Sequence, residues 1–213
     1  MDEYTVNNQK EESAVHPYVF ARIETEEIMN TTTKTKNMIM TGMFAAVLAV
    51  LSQISIPMPS GVPVTLQTFA VALTGFVLGW KLGGMATVIY VLLGAIGVPV
   101  FSGFSGGLGV IFGKTGGFIY GFIVMAALCG LGAGKKNKLL TAVLSLVGLF
   151  VCHFFGALQF SLLMSMSIRE SALLVSVPYL IKDVISVVLA YAVGEVLKRS
   201  LRAANVLSYA EKA

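Results

Sequence analysis

Between Glu27 and Glu170 the chain runs for 142 residues without an aspartate or a glutamate. A soluble domain surrounds itself with charges of both signs, about a quarter of its residues. A stretch this long with no carboxylate has no water-facing solution. Composition agrees: 56% of the chain is apolar, only 12% is charged, and the mean hydropathy is +0.82. The chain reads as an all-α integral membrane protein. A closed β-barrel also satisfies its backbone in lipid, but its strands would alternate polar and apolar residues, and no segment here does.

A crossing helix needs about 20 residues. Six apolar segments meet or approach that length, at 37–56, 63–80, 82–99, 117–134, 138–167 and 172–198. The second and third are parted only by Gly79, Trp80 and Lys81, which predicts a tight hairpin. Residues 1–35 are polar and read as a disordered cytoplasmic tail, 36–200 as the membrane domain and 201–213 as a short C-terminal tail. Basic residues near helix ends set orientation. Lys34, Lys36, Lys81, Lys135, Lys136, Lys138, Lys198, Arg199 and Arg202 fall on one side of this layout, against Lys114 and Arg169 on the other. Both termini are therefore expected in the cytoplasm, in a multi-pass protein of the cytoplasmic membrane. A pI near 9.1 does not point to nucleic acid, because the cations are scattered between apolar runs instead of gathered on one face.

Small residues recur at packing distance. Gly75-xxx-Gly79, Gly117-xxx-Gly121 and Ala45-xxx-Ala49 each predict a close helix approach. Catalytic material is scarce. Cys129 and Cys152 read as small buried hydrophobes. His153 lacks an acidic neighbour in sequence and reads as a buried histidine bonded to a carbonyl. Neither a phosphate-cradling glycine loop nor a metal-ligand spacing is present.

Three polar features remain. IPMPSGVPVTLQTFAV places prolines and then Thr65, Gln67 and Thr68 at the start of a span, where polar groups are costly unless they face a cavity. GVPVFSGFSGGLGVIFGKTGG is a glycine-rich, aromatic outer loop that suits a lid or a ligand floor. Within it Lys114 stands where a helix begins, and an ammonium beside free helix N–H groups makes an anion site. VPYLIKDVISVV carries Lys182 and Asp183 inside a span, which marks them as functional candidates. Adjacent helix positions do not face each other, so each is expected to have its own partner.

The runs VPVTLQTFAV, GAIGVPVF and FGKTGGFIYGF, in this order, resemble BioY proteins, the biotin-specific substrate-binding (S) components of energy-coupling-factor (ECF) transporters. The likeness spans about residues 36–200. It implies a six-helix bundle that binds biotin as its transported ligand, needs no cofactor, and is driven by a transmembrane coupling protein and two ATPase subunits. The family's GxTGG stretch matches Gly113–Gly117. Its sixth-helix pattern, proline-glycine-Asp with Lys three later, matches at Asp183; Ser186 stands where that Lys is expected, and Lys182 holds the glycine position. The resemblance thus implies ligand contacts from Asp183, Lys114, Lys182, Ser186, Gln67, Phe101 and Tyr179, and coupling-protein docking through Ala45 and Ala49. An S component for another vitamin and a solitary biotin facilitator fit the same residues. A lipid-modifying enzyme fits poorly, for want of an acid–base pair.

Overall fold

The computed structural model describes residues 3–135 and 137–204, with side chains from Glu27 onward. About four-fifths of the described residues are helical. Two compact units divide it, residues 1–39 and 40–213. The first is the opening part of helix α1 (Glu3–Ser52). The sequence reading expected a disordered tail at 1–35, where the described residues form the opening turns of α1. No glycine interrupts the chain before Gly42, and Thr31, Thr32, Thr33 and Thr35 donate their hydroxyls to carbonyls four residues back. Threonines that would otherwise compete with the backbone are thereby absorbed into the helix. The C-terminal tail from residue 205 lies outside the described residues.

The second unit is a helical bundle. The close of α1 leads to β1 (Ser55–Ile56), paired antiparallel with β2 (Val64–Thr65) so that Ser55 faces Thr65 and Ile56 faces Val64. Then follow α2 (Gln67–Ala95), the short α3 (Leu108–Ile111), α4 (Gly116–Ala133), α5 (Lys138–Met164), α6 (Ile168–Val175) and α7 (Val177–Ala203). Among the described residues four helices are long and apolar enough to cross a membrane, or five if α6 and α7, bent by 53°, count as one.

α2 is not straight. Gly79 sits at φ 77°, ψ 177°, a backbone that favours glycine, and the chain doubles back there. A Cβ on Gly83 would lie 2.9 Å from the Gly75 Cα, and Gln67 reaches Tyr90 across the two arms. The expected hairpin is present. Gly79 is therefore the turn itself, and it also meets the close approach that the Gly75-xxx-Gly79 spacing predicts, since a Cβ on Gly130 of α4 would lie 2.4 Å from the Gly79 carbonyl carbon.

Gly117-xxx-Gly121 does what its spacing predicts. Cβ atoms at these positions would strike the Phe155 carbonyl and the Cys152 Cα of α5. Gly75 is likewise pressed against the Ala126 carbonyl of α4. Backbone-to-backbone contact of this kind is how helices gain dispersion energy where lipid removes the hydrophobic drive. The core between them holds Leu48, Val71, Phe76, Tyr90 and Met125, while Val50, Phe150, Ile181 and Val188 stay exposed, as a lipid-facing belt requires.

The last span is displaced from its expected 172–198. Ser167 and Glu170 form a reciprocal capping box that starts α6, and Pro178 in the first turn of α7 starts a second helix. Both ends of the bundle have distinct characters. Gly130 packs on the Gly79–Trp80 turn, which puts Lys81, the 134–138 turn and the close of α7 at one end. The β1–β2 hairpin, the 101–115 segment and the opening of α7 gather at the other.

Candidate ligand-binding site

At that second end lies a cavity of about 620 Å³, within the range of small-molecule sites. Its roof and walls follow from local sequence. The prolines flanking the hairpin tip hold it extended, which turns the Val62 and Thr65 carbonyls toward α7. Tyr179 donates its hydroxyl to Val62 O (2.6 Å) and Lys182 donates to Thr65 O (2.9 Å). The 101–115 segment is pinned from several sides. Ser52 and Gln53 donate to Val100 O, and Gln53 accepts from the Phe104 amide at 2.8 Å. Gln159 of α5 donates to the carbonyls of Ile111 (3.0 Å) and Gly113 (2.7 Å). Phe101 lies so close over Gly94 that a Cβ there would enter its ring, and it meets Tyr90 edge-on at 5.5 Å.

The polar centre is on α7. Asp183 is 4% exposed. One carboxylate oxygen lies 3.2 Å from His153 Nε2, and the other forms an ion pair with the Lys182 ammonium. That second oxygen has no well-aligned hydrogen bond, and His153 Nδ1 is buried without any partner among the described residues. Isolated charge in such a place would be very costly; here each carboxylate oxygen meets a donor-bearing group. Apolar surface surrounds this centre, from Phe118, Ile119, Phe122, Val175 and Tyr179. Lys114 lines the cavity from the opposite side, exposed, with its Nζ over Gly61. The site is thus amphipathic: a compact ionic centre, a flat aromatic belt and a lone cation facing it.

Six of the seven expected ligand contacts line this cavity: Asp183, Lys182, Lys114, Gln67, Phe101 and Tyr179. Gln67 is already engaged, donating to the Tyr90 hydroxyl at 2.7 Å and accepting from Thr65 at 3.1 Å. Ser186 is buried but lies one helical turn beyond Asp183 and does not line the cavity. Lys182 and Asp183 each have the separate partner expected, the Thr65 carbonyl and His153, but they also pair with each other. Lysine's four-carbon stem curls back far enough to bring its ammonium to the neighbouring carboxylate. His153, read from sequence as a bystander, is the other partner of Asp183. Its signal was available, because an ionisable residue inside a span is a functional candidate whatever its sequence neighbours.

Ala45 is 2% exposed and Ala49 packs against the core. Ala45 lies in the core, while Ala49 is half-buried and keeps part of its surface open. The outward face of α1 instead carries Gly42 and Ala46, and a Cβ on Gly42 would meet nothing within 4 Å. No set of three His, Cys, Asp or Glu side chains able to hold a metal comes together among the described residues.

A family model described as the BioY family matches residues 26–203. The chain belongs to the BioY family. Among its relatives, a protein named "Probable biotin transporter BioY" from Pyrococcus horikoshii is 38% identical over 165 residues, covering 78% of this chain and 98% of that protein. The "Biotin transporter BioY" of Thermotoga maritima is 39% identical over 165 residues, 77% and 96% of the two chains. The fold is similar to that of a solved structure titled the S-component for biotin from an ECF-type ABC transporter, with a TM-score of 0.72 and 23% identity over 79% of this chain and 93% of that one. The cavity of this BioY-family chain is therefore the natural place to look for a transported ligand.

Proposed function

We propose that this chain is the biotin-binding S component of an ECF-type transporter in the cytoplasmic membrane. The reading rests on the BioY membership together with one observation: a buried Asp183–Lys182 pair, completed by His153, in the wall of an otherwise apolar cavity. Biotin has a ureido ring with two N–H donors and one carbonyl acceptor, an apolar thiophane, and a carboxylate on a flexible arm. Asp183 accepts from the ureido N–H groups, and Lys182 donates to the ureido carbonyl. Phe101, Phe118 and Tyr179 enclose the thiophane, and Lys114 meets the carboxylate. Charge-assisted bonds of this type contribute about 1.5–3 kcal/mol each.

In this reading the two arms of α2 are separate crossings, which with α1, α4, α5 and the α6–α7 pair makes six. Both termini and the lysine-rich 134–138 turn are cytoplasmic, following the basic bias. A coupling protein docks on the Gly42 and Ala46 face of α1, and two ATPase subunits supply the energy. Titration calorimetry of the purified protein tests the ligand. Biotin should bind in preference to other vitamins, and Asp183→Asn should weaken it by about tenfold or more, since about 1.4 kcal/mol is one decade. Unchanged affinity in a folded Asp183→Asn protein would overturn the assignment.

A further inference from the structure

A second cavity, of about 360 Å³, opens at the opposite end of the bundle, between the α4–α5 turn and the close of α7. Lys135 and Lys138 line it from one side; Lys198, Arg199 and Arg202 line it from the other. Its one acidic wall residue, Glu195, is paired with Lys198, whose side chain is only 12% exposed. The positive-inside bias explains cations near this end. It does not explain why five of them converge on one concavity from elements far apart in the chain. Like charges drawn together in a partly enclosed site repel each other and focus the field on any anion that enters.

We infer that this concavity binds the phosphate of an anionic phospholipid headgroup. Guanidinium groups grip phosphate oxygens two at a time, and the Tyr191 ring, held edge-on against Phe76 at 5.4 Å, lines the same cavity. The lipid source is favoured by what flanks the site. Leu139 and Val196, each next in sequence or nearly so to a lining cation, are among the most exposed apolar side chains of the chain, and they offer acyl chains a path beside the headgroup. Basic pockets between membrane helices on the cytoplasmic side commonly take such headgroups. A water-soluble phosphate ester has the same chemistry, and the test separates the two.

The whole protein, purified in neutral detergent, is examined by native mass spectrometry with phosphatidylglycerol, with phosphatidylcholine, and with pyrophosphate. Phosphatidylglycerol should be retained over phosphatidylcholine. Combined Lys135→Gln, Lys138→Gln and Arg199→Gln should reduce that retention by about tenfold or more. Gln at Lys34, Lys36 and Lys81, which do not line the cavity, should change it by less than about twofold, and Glu195→Gln should strengthen it. Ligand titration at the distant cavity verifies that the triple variant is folded; should it not be, single Lys138→Gln and Arg199→Gln carry the comparison. Pyrophosphate displacing the lipid would keep the phosphate site and assign it to soluble esters as well. Retention that is equal for both lipids, or equally lost in the two triple variants, would overturn the proposal.

Discussion

The Lys182 ammonium holds two roles at once, as counter-ion to Asp183 and as donor to the Thr65 carbonyl. Removing it strips a buried carboxylate of one of its two partners, which is the costly half of breaking an ion pair. Lys182→Met should therefore lower biotin affinity by about tenfold or more. It should also destabilise the protein by about 1–3 kcal/mol, less than for a fully buried pair because the lysine is partly exposed. Ser186→Ala, at the position where the family pattern expects a lysine, should change affinity by less than about threefold. Calorimetry on both variants checks the contrast, and a larger loss from Ser186 than from Lys182 would refute this account of the cation. At this scale the sequence was readable where a residue announces itself by being out of place. Asp183, Lys182 and Lys114 were legible because charge is rare in a span. His153 was visible as an ionisable group inside a span, but its partner was not, because Asp183 lies thirty residues away and only the α5–α7 packing brings them together. Ser186 was carried over from a family pattern, and it lies buried outside the lining of the cavity.

Helices α4 and α5 meet backbone to backbone, and glycine is the condition for it. Gly117→Ala should destabilise the bundle by about 1–3 kcal/mol, since its methyl would enter the Phe155 carbonyl and overpacking forces the helices apart. Gly84→Ala makes the useful comparison. Its nearest neighbour would be the Ala127 methyl at 3.9 Å, ordinary contact, so the gain in helix propensity should leave stability unchanged or raised by up to about 1 kcal/mol. Thermal unfolding in detergent measures both, and equal losses would show that the glycines matter for something other than space. Spacing alone revealed the Gly117–Gly121 contact because four-residue periodicity is local information. It did not reveal that Gly79, approached by Gly130 of α4, is also where α2 reverses. The capping box at Ser167 and Glu170 was also local, yet the surrounding apolar run hid the bend it creates.

Considered whole, the molecule has a ligand end and a basic end, and its outer surface is available for partners. Ala46→Trp on the outward face of α1 should abolish copurification with a coupling protein while biotin still binds; Ala45→Trp, with its side chain in the core, should fail to fold. The reverse pattern would return the docking face to Ala45. Topology is open to single-cysteine labelling in a background lacking Cys129 and Cys152. An impermeant reagent applied outside the cell should reach Ser60→Cys and leave Lys81→Cys unmodified, and the opposite result would invert the orientation. The helical, apolar character of the bundle was legible, since lipid constrains composition more tightly than water does. The division of the last span was not, because hydropathy averages over a bend. The acid-free run has a further consequence, in the order of synthesis. From Ile28 of α1 through the end of α5 the chain leaves the ribosome without a carboxylate, so the insertion machinery has no buried acid to shelter while those segments enter lipid. Asp183 comes only in the last helix, carrying Lys182 beside it, into a bundle where His153 has already been made. The one acid at the centre of the cavity is thus delivered to its partners at the moment they can neutralise it.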